Sequence, residues 1–201
     1  MHDGVNSNKN LLNSLLKLHK HCDSINQVIR MYINDKTFKD APEYEVSPGE
    51  KAVYTVLNEL GIDFERAEHD RADTIDDCLD VEKVLGVSIC KNLFLCNRQK
   101  TKFYLLLMPG DKPFKTKDLS SQINSARLSF ADGDAMEKYL GVTPGSVSVL
   151  GLIFDNDNDV TLLIDSDLLN NEFIGCHPCK NTATLKIRTK DILDKFLPYV
   201  K

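Results

Sequence analysis

The chain has 201 residues, 42% of them apolar and 27% charged, with a formal net charge of −5. That composition excludes a collagen-like, low-complexity or largely disordered chain, and no run approaches the roughly 18 apolar residues that a membrane-spanning helix needs. The charge is unevenly spread: residues 47–90 hold eleven acids against four bases, whereas residues 91–133 hold eight bases against three acids.

The opening stretch MHDGVNSNKNLL lacks the basic start and apolar run of a secretory signal. Six cysteines without such a signal favour reduced thiols in the cytoplasm. From about Asn10 to Ile33, Leu11, Leu12, Leu15, Leu16, Ile25, Val28, Ile29 and Tyr32 follow a helical repeat. The stretch 34–46 contains Pro42 and no periodic apolar pattern, and reads as a linker. Residues 1–46 are therefore expected to be a helical extension and linker, packed on the main domain or mediating a homodimer. Residues 47–201 are expected to form the main domain.

Ser47-Pro48-Gly49-Glu50 fits a capping box with Pro at the first helical position, and Gly61 stops the helix that follows. Asp63–His69 reads as a short strand. Thr74 caps a further helix that ends near Gly86. Ile89–Cys96 and Lys102–Met108 read as strands joined by a hairpin, and runs such as FYLLLM imply burial on both faces. Short helices are predicted around Lys117–Ile123 and Asp134–Leu140, then a turn at Thr143-Pro144-Gly145-Ser146. Further strands are predicted at Ser148–Phe154, Val160–Ile164, Glu172–Gly175 and Thr182–Ile187, and Thr189 is read as the cap of a last helix to about Leu197. Strands and helices mix without regular βαβ alternation, so the fold class is α+β around a mixed sheet.

Several local patterns invite a chemical reading. Asp155–Asp159 resembles the start of a calcium loop, but Val160 and Ser166 stand where an EF-hand needs Gly and Glu, so a solvated hairpin turn is the better reading. Cys176-His177-Pro178-Cys179 contains one CxxC with no second pair, which disfavours a structural zinc site or a redox motif. His177, between a strand end and a proline, is placed to face a cleft or simply to be structural. Lys91 is a fixed cation for an anionic group, or a strand-end lysine with its head in water. The Gly145-Ser146 turn offers backbone N–H groups to a phosphate or oxyanion, or is an ordinary Pro-Gly turn. Arg98, Lys100, Lys102, Lys112, Lys115 and Lys117, interleaved with Phe103, Tyr104 and Phe114, form a nucleic-acid face or a solvated Lys-rich hairpin.

The order Thr74, Lys91-Asn92-Leu93-Phe94-Leu95, Leu140 to Val147, Gly175-Cys176-His177-Pro178 and Asn181-Thr182-Ala183 resembles the prolyl-tRNA editing domains, the YbaK and prolyl-tRNA synthetase-associated family. The KNLFL run and the GCHP segment look most like its free-standing alanyl-tRNA(Pro) deacylases. The resemblance covers about residues 48–198. It implies the editing-domain fold, with a partly barrel-like sheet, and hydrolysis of Ala-tRNA(Pro) in trans, a task needed because a few missing methylenes are worth only about 1–3 kcal/mol to a proline pocket. It implies no cofactor, metal, Ser nucleophile or Cys nucleophile; the substrate's own ribose hydroxyl helps position or activate water. By the same resemblance Lys91 and Asn92 hold the terminal phosphate or ribose, Gly145 and Ser146 offer donors near the ester, His177 and Pro178 line the amino-acid pocket, Thr74 sits at its edge and Asn181 supports the His-Pro turn. The implied partners are the tRNA(Pro) acceptor end and prolyl-tRNA synthetase, with no membrane. One departure is Val149, where family members often carry Pro four residues after the glycine. A non-hydrolytic tRNA-binding or synthetase-associated module and a Cys-tRNA(Pro) deacylase are the alternative readings.

Overall fold

The structure is a computed structural model that describes residues 31–72 and 75–201. The helix expected near the N-terminus, the homodimer contact read onto it and Thr74 lie outside the described residues. Met31–Lys201 forms one compact unit.

Among the described residues, eight strands make two four-stranded sheets. The first, in the order β1 (Ile33–Phe38), β2 (Phe64–His69), β8 (Ala183–Arg188), β7 (Phe173–Cys176), is antiparallel throughout. The second runs β5 (Leu128–Phe130), β3 (Cys90–Asn97), β4 (Phe103–Pro109), β6 (Val160–Ile164), with β4 and β6 parallel. The class is α+β, and the sheets do not close into a barrel. Helix α1 (Pro48–Glu59) opens on the expected capping box, Ser47 and Glu50 each bonding the other's backbone N–H. Helices α2 (Ile75–Leu85), α3 (Thr116–Gln122) and α4 (Gly133–Leu140) follow. Gly141 ends α4 at φ +62, a left-handed conformation that glycine adopts without cost. Among the described residues no helix is long and apolar enough to cross a membrane.

The main core lies between the sheets and α1, α4 and the C-terminal helical run, with Leu57, Phe94, Leu105, Leu140, Leu150, Leu185 and Phe196 fully buried. A second cluster fills the other face of the second sheet, where Leu95, Leu106 and Met108 meet Leu119 of α3. Burial on both faces explains the near-continuous apolar run of β4.

Four readings of the sequence are corrected. Residues 33–38, within the helix end and the linker, form the edge strand β1. INDKTF has no apolar alternation because an edge strand needs little more than backbone pairing; Thr37 Oγ1 on Glu65 at 2.6 Å and Arg66 stacked 4.6 Å from the Phe38 ring centre complete it. The run VLGLIF is a buried 3₁₀ helix, Val149–Phe154, capped by Ser148 Oγ on Leu150 N–H at 3.2 Å. A continuous apolar run has no period to separate strand from buried helix, and at Gly151 a Cβ would sit 2.8 Å from Leu140 O. Asn156–Asp159 are exposed, but Asp155–Asp159 joins that 3₁₀ helix to β6, which pairs parallel to β4, so it is no hairpin turn. Asp155 is buried, accepts from Asp159 N–H at 2.9 Å and Val160 N–H at 3.1 Å, and pairs with Lys201 at 2.6 Å. Lastly, Thr189 is the first residue of the last helical run rather than its cap, and its hydroxyl is buried without a hydrogen-bond partner among the described residues.

Candidate functional site

The two sheets meet at one seam. Gly175 N–H donates to Ser88 O at 3.0 Å, Ile89 bridges Gly175 in parallel, and the Cys90 thiol donates to Gly175 O at 3.1 Å. Glu82 of α2 accepts Ile89 N–H at 2.7 Å and fixes the approach from the other side. Glycine lets the strands approach this closely at 175: a Cβ there would lie 2.9 Å from Ile89 Cγ1 and 3.2 Å from Ser88 O, so the neighbours would have to give. The residues just past the seam, Lys91 on β3 and His177 after β7, therefore fall on one pocket of about 780 Å³. Asn92 and Gly145 line it as well. Such a volume lies in the range of small-molecule sites.

Lys91 is half-buried, and its Nζ donates to Lys112 O at 2.9 Å. Lys112 is itself pinned by Asp165 at 2.7 Å and Asp167 at 2.8 Å, which fixes that carbonyl. Among the described residues no carboxylate pairs with Lys91, so its charge is left for an anion.

Asn92 does something the sequence did not show. Its Oδ1 accepts Val149 N–H at 2.9 Å and its Nδ2 donates to Cys90 O at 3.1 Å, so the amide ties β3 to the start of the 3₁₀ helix. The preceding turn is closed by Ser146 N–H on Thr143 O at 3.0 Å, with Gly145 at φ +87 after Pro144. That is the pattern of a type II turn, and it commits the Ser146 N–H internally. Gly145 and Val147, on either side, line the pocket, and their N–H groups have no internal partner among the described residues. Of the turn's N–H groups, that of Ser146 is therefore used within the turn, while those at 145 and 147 are not.

His177 is partly exposed to the pocket. Its Nδ1 lies 2.8 Å from Ala183 O and 3.3 Å from Thr184 Oγ1. Burial lowers its pKa to about 4, with His69 adding to the effect and the Ala183 carbonyl opposing it, so the ring is neutral at physiological pH. His69, at the end of β2, is buried; its Nε2 meets Thr184 Oγ1 at 2.9 Å and its Nδ1 meets Asp70 O at 2.7 Å. The two rings lie 6.0 Å apart, centre to centre. Neither His69 nor Thr184 was singled out from sequence. A histidine closing a strand before Asp70 was a weak signal, and a threonine inside a strand was none.

Pro178, Asn181 and Ser146 are buried and do not line the pocket. Asn181 instead holds the pocket-lining Ala72, accepting its N–H at 3.0 Å and donating Nδ2 to its carbonyl at 3.4 Å. Cys176 and Cys179 are buried, and burial pushes both thiols up, that of Cys179 to about 12. The basic residues split into two groups. Arg98, Lys100 and Lys102 flank the β3–β4 hairpin tip, about 20 Å along β3 from Lys91 at 3.3 Å per residue. Lys112 follows β4 next to the pocket-lining Asp111, and Lys115 and Lys117 stand at the start of α3.

Comparison with known proteins gives a consistent picture. The family model for the aminoacyl-tRNA editing domain matches residues 69–195. The chain is 35% identical over 144 residues to the prolyl-tRNA editing protein ProX of Acetoanaerobium sticklandii, across 71% of this chain and 87% of that protein. It is 33% identical over 149 residues to prolyl-tRNA synthetase associated domain-containing protein 1 of Bos taurus, across 72% of this chain and 84% of that one. Among solved structures, the crystal structure of a candidate trans-editing enzyme for prolyl tRNA synthetase shares the fold, with a TM-score of 0.57 at 17% identity over 74% of this chain and 92% of that chain. The matched stretch runs from His69 through the seam, the turn and His177 to the last helical run, and the chain belongs to the aminoacyl-tRNA editing domain family.

Proposed function

We propose that this protein is a trans-acting aminoacyl-tRNA deacylase that hydrolyses Ala-tRNA(Pro) and so proofreads for prolyl-tRNA synthetase. The observation that carries the reading is the convergence on one pocket of an anion-seeking Lys91, two backbone N–H groups without internal partners at Gly145 and Val147, and a neutral His177. Lys91 takes the terminal phosphate or ribose of the acceptor end. The Gly145 and Val147 N–H groups face the ester carbonyl, where charge develops in the transition state. His177 accepts from the amino-acid end through Nε2, since its Nδ1 is occupied; a base of such low pKa is a poor proton abstractor at neutral pH but a good neutral acceptor. The Cys90 thiol, pushed up to about 12 by burial and bonded to Gly175, is no nucleophile. Water attacks instead, with the substrate's neighbouring ribose hydroxyl helping to place it.

The names of the relatives support tRNA(Pro) as the carrier, and the synthetase as the partner from which substrate comes. The test is release of the amino acid from Ala-, Cys- and Pro-tRNA(Pro) by the wild type and by Lys91→Ala. Fast release of alanine, spared proline and an inactive variant support the proposal. Preferred release of cysteine reassigns the substrate, and no release from any of the three leaves a tRNA-binding module.

A further inference from the structure

We propose that His69 and Thr184 are positioning residues, which hold His177 in the tautomer that presents a bare Nε2 to the pocket. The inference rests on the deacylase reading for its kinetic consequence but not for its geometry.

The chain of donors is fixed at both ends by groups that can only accept. Asp70 O lies 2.7 Å from His69 Nδ1, so that nitrogen carries the proton. Burial disfavours the His69 cation, so Nε2 holds a lone pair. Thr184 Oγ1, 2.9 Å away, must then donate its one proton to His69 Nε2. Having done so, it offers only lone pairs to its other neighbour, His177 Nδ1 at 3.3 Å. Ala183 O, at 2.8 Å from the same nitrogen, makes the same demand. The His177 Nδ1 proton is shared between two acceptors, and Nε2 is left as an acceptor.

The three side chains come from three strands of one sheet: His69 ends β2, Thr184 lies near the start of β8, and His177 follows β7. Thr184 is fully buried and His69 is 5% exposed, so no bulk water competes for these bonds. If Thr184 turned its proton toward His177, His69 Nε2 would be a buried acceptor with no donor. The arrangement therefore has one consistent proton assignment, and it is set 115 residues away in sequence from Thr184, at His69. The second ring secures the first through a hydroxyl, as outer partners orient metal-binding imidazoles.

A double-mutant cycle with imidazole nitrogen NMR tests this. Wild-type spectra at neutral pH should show both His69 and His177 protonated at Nδ1. Thr184→Val, which keeps the shape and removes the hydroxyl, should lower kcat/KM for Ala-tRNA(Pro) about tenfold, and Thr184→Ser should stay within twofold of wild type. In a His177→Ala background the same Thr184→Val change should cost less than twofold, because the residue through which it acts is gone. A full additional loss there, or wild-type activity in Thr184→Val, overturns the positioning role. An Nε2-protonated His69 or His177 overturns the proton assignment whatever the kinetics. A wild type that releases no amino acid while showing the Nδ1 tautomers would sink the deacylase reading, and with it the catalytic part of this one, and leave the tautomer chain standing.

Discussion

Asn92 and Val149 are joined by a single hydrogen bond, Val149 N–H to Asn92 Oδ1 at 2.9 Å, which fastens the pocket turn to the central strand β3. Val149 stands where the resemblance to the family leads one to expect proline, and a proline has no N–H to give. The departure from the family pattern is thus matched by a bond that only a non-proline residue can form.

Asn92→Ala should leave the fully buried Val149 N–H without a partner, at a cost of about 1–3 kcal/mol. Urea denaturation would measure it, and deacylation should fall in parallel because Gly145 and Val147 lose their anchor. Val149→Pro removes the donor instead. The double variant Asn92→Ala, Val149→Pro should cost less than the sum of the two singles, since they break the same bond.

Lys91→Ala should reduce kcat/KM by about 100-fold or more, the scale of losing one electrostatic contact in a desolvated site. Stability should change by less than about 1 kcal/mol, because Lys91 is half-exposed and makes one hydrogen bond, to Lys112 O. Parallel kinetics and denaturation separate the two effects.

Gly175→Ala should pry the seam open. The new methyl would stand 2.9 Å from Ile89 Cγ1 and 3.1 Å from Ile89 Cα. Overpacking of this kind costs about 1–3 kcal/mol. The same variant should lose activity out of proportion to its melting temperature, because Lys91 and His177 both take their positions from the seam.

Acid should weaken the folded state through His177. Its pKa falls from 6.5 to about 4 on folding, chiefly by burial, so between those values the unfolded chain binds more protons. Stability therefore rises with pH across that window and is lost as the pH drops through it. The His177 contribution is at most about 3 kcal/mol at 1.36 kcal/mol per unit. His69 is shifted in the same direction, also by burial. Urea midpoints measured from pH 4 to 7 should slope less steeply in His177→Asn.

Charge should matter by position. Lys115→Glu and Lys117→Glu, at the start of α3, should raise KM for tRNA and flatten its salt dependence. Arg98→Glu and Lys102→Glu, at the distant hairpin, should change both much less. Equal effects from the two pairs would mean that the acceptor stem spans the whole sheet.

Sequence made some parts of this molecule plain and hid others, for physical reasons. The capping box at Ser47, the glycine stop at Gly141 and the β3–β4 hairpin rest on local chemistry and appear where the pattern puts them. Lys91, Asn92, Gly145 and His177 line one pocket, but they could be grouped only by resemblance to a family, because the seam that joins their segments is a contact between residues 86 apart. The edge strand β1 and the 3₁₀ helix at Val149 were hidden because backbone pairing and full burial leave no periodicity. Thr184 was hidden because a buried threonine in a strand looks like any other until its two histidine neighbours are in place.

The seam at Gly175 also sets an order in time. Emerging from synthesis, the chain completes α1, α2 and the whole second sheet before β7, His177 and β8 exist. Until then β2 has no partner on its inner side, and Lys91 faces a pocket with one wall missing. A product cut short after β6 would carry the lysine, the turn and the basic strand end, yet lack the histidine and the threonine behind it. Competence therefore waits for β7, His177 and β8, when the late strands close onto Ser88 and Ile89.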